Sequence, residues 1–138
     1  MRHSFLLDSN VLVYVLNERA AVVELLHRVT DLETEDKPSV SAMTVYEVLA
    51  GTRPDDYERT TDLLLSLDVI PVTATVAARA ALLAQWQREQ GQRVAVADTL
   101  IAGTALTYRK TLVTYDLGHF SRLGVDLYPD LPPLDTDR

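Results

Sequence analysis

Four acidic residues, Asp8, Glu47, Asp98 and Asp116, lie in short apolar or small-residue segments: FLLDSNVL, TVYEVLAG, VADTLIAG and LVTYDLGHF. Each segment reads as a strand about to become a helix, with the acid at the boundary. Each acid also has a purely structural reading. Asp8, before Ser9 and Asn10, suits a helix cap, and Glu47 completes a T-x-x-E capping box with Thr44. Asp98 suits the positive end of a helix dipole, and Asp116 suits a turn. The combination asks for more, because an apolar sheet edge does not require an acid at every exit. Carboxylates gathered to within about 5 Å would repel one another by about 3 kcal/mol per pair at an effective dielectric of about 20. Such a cluster must take up protons or bind cations. Its hard oxygen ligands select Mg²⁺ or Mn²⁺, with all four acids as metal ligands and catalytic residues. A divalent ion held there activates a water, orients a phosphodiester and stabilises charge on the leaving oxygen. Metal-dependent phosphodiester hydrolysis is the reaction that uses this equipment. In-line attack would leave a 5′-phosphate and would not require a 2′-hydroxyl.

Smaller polar residues stand close by in sequence. Ser9, Asn10 and Thr114 are placed to orient carboxylates or metal-bound water, and equally to serve as caps and strand-end hydroxyls. His119 follows Asp116 by three residues, beside Phe120, where a structural histidine is the default and contact with substrate the alternative. His3, His27 and His119 show no zinc-ligand spacing. Arg53, Arg59, Arg88, Arg93 and Lys110 are available to phosphate groups, although scattered surface cations are usually only solvated.

The elements that must position these groups alternate. Phe5 to Leu7 reads as a buried strand feeding a helix, and Ala20 to Leu32 has helical apolar spacing. A polar connection, TDLETEDKP, leads to a short strand from Ser39 and then a helix closed by Gly51 and Pro54. Helices over 57–67, 75–90 and 95–108 and strands over 68–72, 111–114 and 125–128 complete the pattern, with a short helix or turn over 117–123. Strands alternating with helices imply an α/β fold with a mainly parallel sheet. Sites in such sheets lie beyond the carboxyl ends of the strands, which places Asp8 and Asp116 directly. Glu47 and Asp98, in the first turns of helices, can point to the same edge.

The chain has 138 residues, 47% of them apolar, enough for one domain with one core. The expected division is a folded domain over 1–128 and a proline-rich tail over 129–138 without regular structure. The net charge of −7 argues against high-affinity, non-specific nucleic-acid binding, though less so for an enzyme that meets phosphate through bound metal. The absence of cysteine excludes disulfides, thiolate metal sites and cysteine nucleophiles. The N-terminus, interrupted by Asp8, does not read as a secretory signal, and no apolar run suits a membrane span. The expectation is a soluble, cytoplasmic protein. Tyr46, Leu49 and Trp86 offer more large apolar surface than short helices easily bury, so core packing competes with a self-association surface.

The blocks LLDSNVLVYVLN, SAMTVYEVLAG, VAVADTLIAGTAL and TLVTYDLGHF, in this order and spacing, resemble a PIN domain, and more narrowly the VapC-type ribonuclease toxins of toxin–antitoxin pairs. The resemblance covers nearly the whole chain. It implies a Rossmann-like three-layer fold with a short-stranded sheet flanked by helices, and dependence on Mg²⁺ or Mn²⁺. It further implies an RNA substrate, with tRNA and rRNA as candidates, homodimers, and a cognate antitoxin protein. The family's acidic positions fall on Asp8, Glu47, Asp98 and Asp116, its small polar residue on Ser9 with Asn10 next, and its threonine on Thr114. Ser9 stands where threonine is commoner, and His119 where a further acid often stands, so no fifth acidic ligand is expected. The leading expectation is a toxin endoribonuclease. The alternative is a non-catalytic PIN-like module whose acidic pocket receives a basic partner segment, which the intact set of four acids disfavours. Two phosphoryl-transfer readings with Asp8 as nucleophile fit less well. A haloacid-dehalogenase-like site wants a second Asp where Asn10 stands, and a receiver-like site wants a lysine after a strand, whereas Lys110 precedes one.

Overall fold

The apolar triplets become strands. In the computed structural model, which describes residues 4–32 and 37–134, four three-residue strands form a single sheet. They are β1 (Phe5–Leu7), β2 (Ser39–Ser41), β3 (Asp68–Ile70) and β4 (Thr111–Val113), all parallel, in the order β3-β2-β1-β4. His3, residues 33–36 of the polar connection and the last four residues of the tail lie outside the described residues.

The helices are α1 (Ser9–Leu16), α2 (Ala20–Leu32), α3 (Ala42–Ala50), α4 (Tyr57–Leu65), α5 (Ala74–Glu89), α6 (Val96–Tyr108) and α7 (Leu117–Phe120). Short 3₁₀ turns precede α4 and follow α7. The result is three layers. On one face Phe5, Leu7, Val40 and Val113 pack with Val11 and Leu12 of α1, Val22, Leu25 and Val29 of α2, Val48 of α3 and Leu64 of α4. On the other, Leu6, Ile70 and Leu112 pack with Ile101, Ala102 and Ala105 of α6 and with Phe120. Neighbouring residues of one strand serve opposite cores because side chains alternate across a sheet. A parallel sheet covered on both faces therefore needs continuous apolar runs such as FLL, each fully buried leucine contributing about 1.5–3 kcal/mol.

The dense small residues of α6 let α5 approach closely. A Cβ at Gly103 would stand 3.0 Å from the Val76 carbonyl oxygen and 3.2 Å from the Ala80 nitrogen, both in α5. α6 then ends at Arg109, a non-glycine residue in the left-handed region (φ 55°), while the Lys110 N–H bonds the Ala105 carbonyl at 2.9 Å.

Three expectations change. The predicted last strand, 125–128, reduces to a single parallel bridge, Leu112 to Leu127. It is made by Leu112 N to Asp126 O (2.8 Å) and Tyr128 N to Leu112 O (2.9 Å). The ladder cannot extend back along β4, since the Lys110 N–H is committed to capping α6. The capping box at Thr44 does not form. Ser41 caps α3, accepting from the Met43 N–H at 3.0 Å, and Thr44 is buried inside the helix. Trp86 and Tyr46 are not core residues, being 39% and 66% exposed, while Leu49 packs against the core. Residues 129–134 carry no helix or strand, yet Leu131 and Leu134 pack on the first core, and the Tyr115 hydroxyl donates to the Pro132 carbonyl at 2.9 Å. Among the described residues no helix is long and apolar enough to cross a membrane.

Candidate functional site

The chain steps from β1 to β2 to β3 in one direction along the sheet and then places β4 on the far side of β1. The strand order therefore reverses between β1 and β4, and ligands bind in the crevice beyond such a switch point. Asp8 directly follows β1, and Thr114 to Asp116 directly follow β4. The Asp8 N–H still bonds the Val113 carbonyl at 3.0 Å, so the two exits are stitched together.

Asp8 is 4% exposed and is both the cap of α1 and a member of a polar network. Its Oδ1 accepts from the Ser9 N–H at 2.8 Å, and its Oδ2 accepts from the Thr114 hydroxyl at 2.8 Å and, longer, from Asn10 Nδ2 at 3.4 Å. Thr114 Oγ1 also accepts from Asn10 Nδ2 (3.2 Å) and from the Asp116 N–H (2.9 Å). Asn10 Oδ1 accepts from the Tyr115 N–H at 3.1 Å, which fixes the orientation of its amide. Asn10 and Thr114 thus hold the Asp8 carboxylate and the loop that carries Asp116, as expected of residues that orient a site. Ser9 and Asn10 are first-turn residues of α1, not its cap.

Glu47 lies in the second turn of α3, because the helix begins at Ala42. The nearby Ser9 hydroxyl favours the charged form of its carboxylate. Its Oε1 is buried with no partner. Asp98 lies in the first turn of α6, which follows α5 and not a strand, so only Asp8 and Asp116 sit at strand exits. Asp116 heads α7, but its side chain makes no capping bond and is exposed.

The electrostatics join all four. Burial pushes the Asp8 carboxyl above its ordinary value, against hydrogen bonds from Thr114 and Ser9 that lower it, and the charges of Asp98 and Asp116 raise it further. Burial likewise raises Glu47, helped by Asp8 and Asp98. Burial raises Asp98, opposed by His119 and reinforced by Asp116. The charge of Asp98 thus bears on Asp8 and Glu47, that of Asp8 on Glu47, and that of Asp116 on Asp8 and Asp98. Among the described residues no three His, Asp or Glu side chains are already drawn around a single ion position. They share a field, as mutually repelling carboxylates would, and the unpaired Glu47 oxygen together with the all-oxygen donor set fits a hard divalent cation.

Sequence alone undervalued His119. Its Nε2 stands 3.0 Å from Asp98 Oδ2, a charge contact without an aligned hydrogen bond, and its ring meets Phe120 edge-on at 5.5 Å. The spacing of three from Asp116 was the available signal, since it puts His119 on α7 just beyond the β4 exit. Lys110 goes the other way. It precedes β4 at the opposite end of the strands and donates to the Ser4 hydroxyl at 2.8 Å.

Residues 5–125 match the PIN domain family. Ribonuclease VapC10 of Mycobacterium tuberculosis is 29% identical over 115 residues, covering 83% of this chain and 84% of that protein. The FitAcB structure from Neisseria gonorrhoeae is similar at 31% identity and TM-score 0.73, covering 91% of this chain and 96% of that one. VapBC2 from Rickettsia felis, bound to a DNA fragment from its promoter, shares the fold at TM-score 0.78 and 23% identity, covering 90% and 96%. With the switch-point acids in place on a matching fold, the chain belongs to the PIN domain family, and its relatives are of the VapC type.

Proposed function

We propose that this protein is a divalent-metal-dependent endoribonuclease acting as the toxin of a toxin–antitoxin pair. The observation that carries this reading is the mutual electrostatic coupling of Asp8, Glu47, Asp98 and Asp116 beyond the β1 and β4 exits. The relative named a ribonuclease supports RNA as substrate, and the neighbouring VapBC structure supports a cognate antitoxin.

Four carboxylates repel a phosphodiester, so they serve this chemistry only around a cation. Mg²⁺ or Mn²⁺ held by Asp8, Glu47, Asp98 and Asp116 supplies charge neutralisation at the phosphate and an acidified water. The chain's own part is placement. Thr114 and the Ser9 N–H fix the Asp8 carboxylate, and the Ser9 hydroxyl favours the charged form of Glu47. The Asp116 N–H, bonded to Thr114, sets the loop of the fourth acid. His119 supports the charge of Asp98 when its ring is protonated. Exposed Tyr46, Leu82 and Trp86 supply apolar surface for a homodimer.

The test is RNA cleavage by the purified protein with and without Mg²⁺. Wild type should cut only with the ion and leave 5′-phosphate ends. Folded Asp8→Asn and Asp98→Asn proteins should not cut. Cleavage by both variants, or 2′,3′-cyclic phosphate ends, would overturn the proposal.

A further inference from the structure

Beside Asp98 and His119 lies a cleft of about 670 Å³ whose polar residues include Gln87, Gln92, Arg93 and Arg122. Its composition is unusual for a chain of net charge −7. Arg93 and Arg122 are exposed and have no ion-pair partner among the described residues. Gln87 is 1% exposed, and its Oε1 has no hydrogen-bond partner. The Oε1 of Gln92 is likewise buried and unpaired. Buried polar atoms are normally paired, so an unpaired amide oxygen lining a cleft points to a donor that arrives with a ligand. The loop that closes the cleft is tied to the same residue, since the Gln87 carbonyl accepts from the Gln92 N–H at 2.8 Å and the Gln90 N–H at 3.1 Å.

The smaller cleft on the Glu47 side, about 290 Å³, differs. Its Arg59 is occupied, donating to the Leu16 carbonyl at 3.0 Å and lying 3.8 Å from Asp56. That cleft also carries an unpaired guanidinium, Arg53, but no buried unpaired amide; among the described residues the two coincide only on the Asp98 side. Guanidinium suits phosphate, and an amide can pair with the edge of a base whose stack has been opened.

We propose that the cleft between Gln87, Arg93, Arg122 and the Asp98–His119 contact is a nucleotide subsite for single-stranded RNA. Arg93 and Arg122 take a phosphate next to the scissile one, and the Gln87 amide pairs with a base edge bearing an exocyclic amine. The inference rests on the ribonuclease reading and adds the direction in which the strand leaves the acidic pocket.

Two measurements separate the subsite from that reading. The first is binding of a fluorescent single-stranded octaribonucleotide of mixed sequence to Asp8→Asn protein, which leaves the cleft intact, followed by anisotropy over a salt series. Adding Arg93→Ala and Arg122→Ala should weaken binding at least about tenfold and flatten the slope of log K against log salt by about 0.7, the loss of one phosphate contact. The second is the base preference at cut sites in a random RNA pool, which Gln87→Met should broaden while conserving side-chain volume. Binding and salt slope unchanged by the arginine pair would overturn the subsite even if wild type cuts RNA. Arginine-dependent binding without cleavage would support the subsite and sink the nuclease. Hexaglutamate bound as tightly as the RNA would identify an acidic-peptide site and overturn the proposal. If Gln87→Met does not fold, the arginine result decides.

Discussion

The two halves of the acidic site are built on different principles. The strand-exit half is finished by the fold. Asp8 is buried, both of its oxygens accept hydrogen bonds, and Thr114 ties it to the backbone of Asp116. The helix-borne half is left incomplete. Glu47 has only the nearby Ser9 hydroxyl to favour its charge and one orphaned oxygen, and Asp98 has only the charge contact with His119. Hydrogen bonds to the charged form offset part of the cost of burying Asp8, whereas burial and repulsion act on Glu47 and Asp98 with little opposition. The contrast teaches a division of labour. Backbone and side-chain hydrogen bonds fix one wall of the pocket, and the opposite wall is arranged to be completed by a ligand.

The largest effect expected is on activity, from the incomplete wall. Asp98→Asn should reduce Mg²⁺-dependent RNA cleavage more than about 100-fold, beyond what loss of a merely supporting partner costs at metal sites. Its thermal stability at pH 7 should hold or rise, because a repelled charge is removed. A clear fall in Tm would show that Asp98 stabilises the fold, and the comparison would fail.

Thr114→Val tests the finished wall. It keeps the side chain's shape, deletes the donor to Asp8 and strands the N–H of Asp116. Stability should drop by about 1–3 kcal/mol and activity by about 10–100-fold, both visible in one chemical denaturation and one cleavage assay. Loss of activity without loss of stability would mean that the network is less committed to the fold than its geometry implies.

A control belongs away from the pocket. Gly103→Ala puts a methyl group 3.0 Å from the Val76 carbonyl and forces α5 and α6 apart. It should cost about 1–3 kcal/mol by overpacking. Because α6 carries Asp98, kcat should fall with it more than in a variant equally destabilised through α2.

The smallest effect is the pH dependence of stability. Asp8, Glu47 and Asp98 all have folded-state pKa values raised above 3.8, 4.5 and 3.8 respectively. The folded state therefore holds more protons than the unfolded chain over the window above those values. Stability from this source is complete below the unfolded values and is lost as pH rises through the raised ones. In metal-free buffer this contribution to Tm should grow as pH is lowered from neutral towards the ordinary carboxylate values. Mn²⁺ should raise Tm more at neutral pH than near the ordinary carboxylate values, where protons compete for the same oxygens. Melting curves in buffers of matched ionic strength would show either trend or its absence.

Much of this architecture was legible in the sequence, for definite reasons. FLL and TLV read as short buried strands, and an acid directly after the first and three residues after the second is a local signal that survives folding. Asn10 and Thr114 were legible for the same reason, being adjacent in sequence to groups they touch. The start of α3 was not. Ser41 and Thr44 are both capping types three residues apart, and burial of Thr44 against the core decides between them, which no local pattern reports. The short β4 pairing with Leu127 was hidden because the competing use of the Lys110 N–H arises from the cap of α6. His119 was undervalued because its partner, Asp98, is distant in sequence and on another helix. Gln87 read as one polar residue in a helix rich in Ala, Leu and Gln, and only the packing shows it buried with an unpaired oxygen.

The central claim is that one pocket holds a divalent ion through acids from both walls. Titration of Mn²⁺ into metal-free protein at pH 7, followed by calorimetry, tests it most directly when wild type, Asp8→Asn and Asp98→Asn are run side by side. Saturable binding by wild type, weakened at least about tenfold in each variant, is the predicted result. No binding by wild type, or equal binding by all three proteins, would contradict it.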